Sequence, residues 1–188
     1  MPPRSRALSP TLSCNDLPLA ELHAARLDGE LVVVAECFSP IDEPDDAFHR
    51  AGALALSVQP RLIAERFSAA WVLGACALPP GRHQFCVDSG ARVCLPGSSR
   101  HELREVVIND AEVITLAGLR LTTPLRAAVD IARSSPEFGQ FEAGVVRALM
   151  ALGDFGASDC AAAMNRRRNL PGKHLAVARL RACETLAA

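Results

Sequence analysis

The sequence predicts an α+β fold, with an antiparallel sheet packed by helices and a smaller helix–strand element in front of it. Two observations carry this. The β-type runs between Gln84 and Leu121 follow one another with only turns between them, and helix-period segments gather before and after that block. A third observation places the pivot: in Leu119-Arg120-Leu121-Thr122-Thr123-Pro124 a short strand runs straight into a helix.

Taken in order, residues 1–15 are rich in Pro and Ser and predict a flexible tail. A helix is expected over Leu17–Leu27 with Asp16 as its N-cap, and Leu19, Leu22 and Leu27 on one face. Asp28-Gly29 ends it, and Glu30–Phe38 reads as one strand stopped by Ser39-Pro40. Helix, Gly turn and strand over 16–40 is what remains of a winged helix-turn-helix when only its last helix and wing are kept. A recognition helix needs side chains that reach phosphates and bases. Here only His23 and Arg26 qualify, against Glu21 and Asp28, so a packing element is the better reading.

Residues 41–188 read as the main α+β domain, ending in a basic helical segment. The acidic linker Asp42–Asp46 favours a helix start, and a helix is expected over Asp45–Ser57. A second is expected from Pro60 to Cys76, with Trp71 as core. Ser89-Gly90 between Gln84–Asp88 and Ala91–Leu95 is a hairpin signal. Leu103–Ile108, Glu112–Leu116 and Leu119–Leu121 extend the sheet. In the helix that follows, Thr123 is the N-cap and Pro124 suits the first position, which needs no N–H partner. Leu125, Ala128, Val129 and Ala132 share a face; Arg126 and Asp130, four apart, can pair on the other. Such a pair is worth about 0.2–0.5 kcal/mol when exposed, and fixes the docking of the helix when buried. Further helices are expected over Glu137–Leu152, from Ala157 to about Arg168 with Ser158 as cap, and over Lys173–Leu186.

With 188 residues, the chain holds one ordinary domain or a small module plus one domain. Hydrophobic residues make up 49% and Tyr is absent, so the core must be built from Ala, Leu and Val. A net charge of −1 excludes polyanion binding by bulk charge. The distribution is uneven: residues 1–60 carry 4 Arg against 9 acids, net −5, and residues 140–188 carry 7 bases against 4 acids, net +3. The seven cysteines are scattered and odd in number, with no C-x-x-C, and read as reduced, packed thiols in a cytoplasmic protein. No apolar run reaches the ~20 residues needed to span a bilayer, so no membrane is expected, and Arg4 and Arg6 lead into no secretory signal.

The central stretch carries a resemblance. G-x-x-x-T-x-P-x-R-x-x-x-D, from Gly118 to Asp130, resembles the signature of the AbiEi family, antitoxins of type IV toxin–antitoxin systems of which many are also transcriptional regulators. Upstream, Arg66-Phe-Ser-Ala-Ala-Trp71-Val-Leu-Gly74 resembles the family's A-A-x-x-x-G helix ahead of its sheet. The family usually has Thr after the motif Arg, where this chain has Ala127. Together the resemblance covers Leu17 to Glu184, and Thr123, Pro124, Arg126 and Asp130 are its structural motif. It implies a nucleotidyltransferase-type toxin and double-stranded operator DNA as partners. The other class of reading is a protein-interaction module that has lost DNA binding with its winged helix.

The most charged stretch supplies the candidate nucleic-acid residues: Arg166, Arg167, Arg168, Lys173 and Arg179, gathered by the Pro171-Gly172 turn. Arginine clusters contact phosphates and release counterions. A solvated helix end explains the same run, because cations are favoured at helix C-termini. A zinc site from His83, Cys86 and Cys94 lacks a fourth ligand, so no metal and no cofactor are expected. Catalysis is not expected either. Asp88, Asp110 and Glu112 lie near strands, but Lys173, the sole Lys, is far off, and there is no nucleophile elbow or P-loop.

Overall fold

The computed structural model describes residues 11–90, 101–167 and 170–185. Two compact units divide the chain: one runs to Pro60 and includes Leu116–Leu119, the other comprises the remainder from Arg61.

In the first unit, α1 (Leu19–Leu27) leads into β1 (Leu31–Val34) and β2 (Cys37–Pro40), which pair antiparallel, and α2 (Ala47–Ser57) follows. The single strand expected over Glu30–Phe38 is therefore a hairpin. Ala35 turns the chain at a positive φ of 53°, a conformation unusual for a residue with a Cβ. The core here is Leu12, Leu22, Leu31 and Phe38. Of the three leucines expected to share a face of α1, only Leu22 is buried; Leu19 is 55% and Leu27 85% exposed. Leu27 lies five residues beyond Leu22, well off its face at 3.6 residues per turn. Asp16 caps no helix: α1 starts after Pro18, and the Asp16 carboxylate accepts the Ser13 backbone N–H at 2.8 Å.

The expected tail is corrected at its end. Residues 1–10 lie outside the described residues, but Thr11 and Leu12 are buried, and Leu12 exchanges backbone hydrogen bonds of 2.7 and 2.8 Å with Phe38. An apolar side chain beside an unpaired strand edge had a place to go. For α2, Asp46 is the N-cap, accepting the His49 N–H at 2.8 Å.

The second unit is built on a five-stranded sheet in the order β5-β4-β3-β7-β6. Its strands are β3 (Ile63–Ala64), β4 (His83–Asp88), β5 (His101–Val106), β6 (Val113–Leu116) and β7 (Leu119–Thr122). The α+β class holds, but the sheet is mixed. β3 pairs antiparallel with β4 and parallel with β7, and β4 pairs parallel with β5 from His83–His101 to Asp88–Val106. A two-residue hairpin would have made β4 and its next strand antiparallel. Parallel pairing requires a longer connection than two residues, and His101 follows Asp88 by thirteen positions in the sequence. The strand expected at Ala91–Leu95 falls outside the described residues.

Helix α3 (Arg66–Val72) is shorter than the expected Pro60–Cys76 because Ile63 and Ala64 are taken into the sheet. Between β6 and β7, Ala117 and Gly118 both have positive φ, 45° and 82°, the pattern of a type I′ hairpin turn, which explains the motif glycine. Helix α4 (Pro124–Ser134) follows, then α5 (Gln140–Gly153), α6 (Ala157–Asn165) and α7 (Lys173–Thr185). The cap expected at Ser158 is absent. Asp159 accepts the Gly156 N–H at 2.9 Å, and Glu184 of α7 accepts that of Ala157 at 2.5 Å.

Every residue of α4 from Arg126 to Ala132 is buried, and α3, α5, α6 and α7 all contact it. A helix wrapped on all sides is normally apolar all round. This one carries Arg126 and Asp130 into the interior, 3% and 1% exposed.

Candidate functional site

The site is built from the start of α4 outward. Thr123 Oγ1 accepts the Arg126 backbone N–H at 3.3 Å, and Pro124 occupies the first turn. This fixes where the helix begins and so where its third and seventh side chains, Arg126 and Asp130, emerge. Arg126 Nε donates to Asp130 Oδ2 at 2.7 Å, the buried form of the pairing that the spacing allowed.

Asp130 does not serve Arg126 alone. Its Oδ1 accepts from Arg133 Nη2 at 3.0 Å, and Arg104 Nη2 of β5 lies 3.2 Å from Oδ2. Arg104 in turn donates from Nε and Nη2 to both oxygens of Glu65, at 2.5 and 2.6 Å. Glu65, with no exposed side-chain surface, also accepts from Arg66 Nε at 3.1 Å. On the far side, Arg126 Nη1 lies 2.9 Å from Glu112, which is also paired with Arg167. One chain of ion pairs thus ties β5, the start of α3, the turn before β6, α4 and the end of α6. Bidentate arginine–carboxylate pairs are directional, so the chain sets register as well as energy. Arg66 adopts a positive φ of 47°, costly for a residue with a side chain, and its guanidinium is held between Glu65 and Glu102.

Electrostatics follow the geometry. Burial alone would raise the Asp130 pKa; the Arg126, Arg104 and Arg133 guanidiniums outweigh it and hold the carboxyl below its ordinary 3.8. Likewise burial would lower the pKa of Arg104 and Arg126, but Glu65 and Asp130 respectively keep both raised. A carboxyl with a depressed folded-state pKa contributes stability that is complete above the unfolded value and is lost as pH falls through the folded one. Melting temperature is therefore expected to fall steeply once the pH drops below 3.8, and Asp130→Asn to flatten that fall. Melts of both proteins from neutral pH to pH 3 check this; parallel curves would count against it.

Of the residues singled out for nucleic acid, Arg166 is exposed at the end of α6 and Lys173 is half-buried at the start of α7. Arg167 is paired with Glu112. Arg168 lies outside the described residues. Arg179 is committed elsewhere: its Nη1 donates to the Ala132 and Ser135 carbonyls at 2.9 and 3.0 Å, and its guanidinium lies 4.9 Å over the Phe138 ring. It satisfies carbonyls left open where α4 ends.

Several features escaped the sequence. Glu65 and Arg104 are 39 positions apart, so no helical spacing could reveal them. The Ser68 hydroxyl accepts the Gln84 N–H at 2.7 Å and sits 3.2 Å from His83 Nδ1, but Ser68 is fully buried and no substrate can reach it. Among the described residues, no three His, Cys, Asp or Glu side chains are placed to hold a metal ion. Cys86 is a buried free thiol, and Cys94 lies outside the described residues. Burial, the largest cause, pushes the Cys37 and Cys160 thiols up to about 11 and about 12, so they remain protonated and unreactive. No helix of the described residues is long and apolar enough to cross a membrane.

The family model described as the AbiEi antitoxin C-terminal domain matches residues 63–178. No curated protein matches the chain. Among solved structures, the chain is similar to that described as the crystal structure of RV2827C protein from Mycobacterium tuberculosis. The identity is 20% and the TM-score 0.49, over 90% of this chain and 67% of that one.

Proposed function

We propose a function from one premise: the chain belongs to the AbiEi antitoxin C-terminal domain family, whose model spans more than half of it. This is a family of antitoxins and transcriptional regulators, and membership implies a toxin as partner. In our reading, the protein acts by binding rather than catalysis. Its partners are a nucleotidyltransferase-type toxin and its own double-stranded operator DNA. Residues 41–188 form the antitoxin domain, and residues 16–40 are the remnant of a winged helix. The helix α1 followed by the β1–β2 hairpin supports that last assignment.

The observation that carries the DNA part is the basic end of α6 and start of α7, where Arg166 is exposed and the surrounding segment is net positive. Phosphate contacts provide most non-specific affinity, and each adds about −0.9 to the slope of log K against log salt. Changing Arg166, Arg167 and Arg168 together to Ala is expected to weaken DNA binding and flatten that slope by up to about three contacts' worth. Arg26→Ala on α1 is expected to remove about one contact at most. Titrations of duplex DNA at several salt concentrations check both. If Arg26→Ala abolishes binding and the triple change does not, α1 is the reading head.

A second reading has its own support. Two of the nominated arginines are already engaged, Arg167 by Glu112 and Arg179 by backbone carbonyls. A protein-interaction module that no longer binds DNA fits that engagement. It takes precedence if the wild-type protein shows no salt-dependent DNA binding at low salt.

A further inference from the structure

We propose that the arginine-lined cleft beside α4 binds a phosphoryl group, best a terminal phosphomonoester carried on a nucleotide-sized ligand. The cleft is about 460 Å³, within the size range of small-ligand sites, and Arg104, Arg126, Arg133 and Arg167 all line it. They come from three separate places, β5, α4 and the end of α6.

These arginines are held but not used up. Behind Arg104 and Arg133, 26% and 16% exposed, stand Glu65 and Asp130, whose side chains are 0% and 2% exposed; Arg167, 25% exposed, shares the surface with its partner Glu112 at 21%. Arg104 bonds through Nε and Nη2, leaving Nη1 without a hydrogen bond among the described residues. Arg133 bonds through Nη2 alone, and its Nε is buried with no partner. A buried donor left unpaired is costly, and an anion oxygen is one remedy. The network joins five guanidiniums, Arg66 included, to four carboxylates, Glu65, Glu102, Glu112 and Asp130, so one positive charge is left over. Glu105 also lines the cleft, so four guanidiniums there face one further carboxylate. Guanidiniums already fixed by buried carboxylates lose little freedom on binding, and their planar forks match phosphate oxygens. Val107, 72% exposed at the rim, offers an apolar surface on which a base or sugar can rest.

A nucleotide and a DNA backbone both carry phosphate, and a terminal phosphate brings the greater charge to a pocket of four cations. The experiment is a calorimetric titration of the full chain with a nucleoside monophosphate, inorganic phosphate and a DNA duplex, against chloride at matched ionic strength. The expected result is saturable binding of the monophosphate, weakened about tenfold or more by Arg133→Met, the loss of a charge-assisted hydrogen bond. Arg61→Ala, which removes an exposed charge of the same unit, should leave it unchanged. If Arg133→Met does not fold, Arg167→Met carries the same test. If duplex DNA displaces the monophosphate and Arg133→Met weakens both, the site stands with backbone phosphate as its source. No binding above the chloride control, or equal loss in Arg61→Ala and Arg133→Met, overturns the site. Loss of DNA binding alone, with the monophosphate still bound, counts only against the DNA reading.

Discussion

Asp130→Ala is expected to destabilise the second unit by about 3–5 kcal/mol, the usual penalty for removing one partner of a buried ion pair. The figure belongs at the upper end because one carboxylate serves three guanidiniums, with Arg126 at 2.7 Å, Arg133 at 3.0 Å and Arg104 at 3.2 Å. Without it, Arg126 keeps Glu112 as its counter-charge, while Arg133 has no other ion pair among the described residues. The alanine also removes the buried carboxylate from the middle of α4, where every residue from Arg126 to Ala132 is buried. Urea unfolding would show a lower midpoint at unchanged slope, because the surface exposed on unfolding stays the same. A midpoint equal to wild type would mean that the pairs contribute nothing net.

Glu65→Ala is expected to cost a similar amount, about 3–5 kcal/mol, for a related reason. The Glu65 side chain has no exposed surface and takes both donors of the Arg104 fork. It also helps hold Arg66 at its positive φ, so the first turn of α3 loses an anchor. The two variants share Arg104, so their effects are not expected to add. A double-mutant cycle should show a coupling of about 0.5–3 kcal/mol, as is usual within one network. Additivity within error would show that Arg104 does not transmit between the two carboxylates.

What could be read from the sequence follows a physical divide. The start of α4 was legible because Thr123, Pro124, Arg126 and Asp130 act over one or two turns, and local geometry determines their relations. The helices α5 and α7 were legible from the Pro and Gly breaks that bound them, to within a few residues at each end. The β1–β2 turn was not, because Ala35 and Glu36 carry none of the usual turn chemistry and the run of valines reads as one strand. Nor was β3, two residues long and lying in a helix-like context; its place in the sheet comes from pairing with β4 and β7. The ion-pair network was half legible. The Arg126–Asp130 spacing announced itself, while Glu65, Arg104, Glu112 and Arg167 meet only once the sheet and helices are assembled. The basic run was legible as charge, but not the commitment of Arg179 to helix-end carbonyls.

Trp71 has a practical consequence. It is the only tryptophan, tyrosine is absent, and the ring is 4% exposed in α3 with the His83 ring centroid 5.6 Å away. Intrinsic fluorescence excited at the red edge of absorption therefore reports on one position in the second unit, and the first unit is optically silent. Far-ultraviolet circular dichroism sees helices in both, since α1 and α2 lie in the first unit. Recorded together on one sample, the two signals become a ready-made test of cooperativity: coincident curves mean that the units melt as one, and a dichroic change preceding the emission shift means that the first unit melts alone.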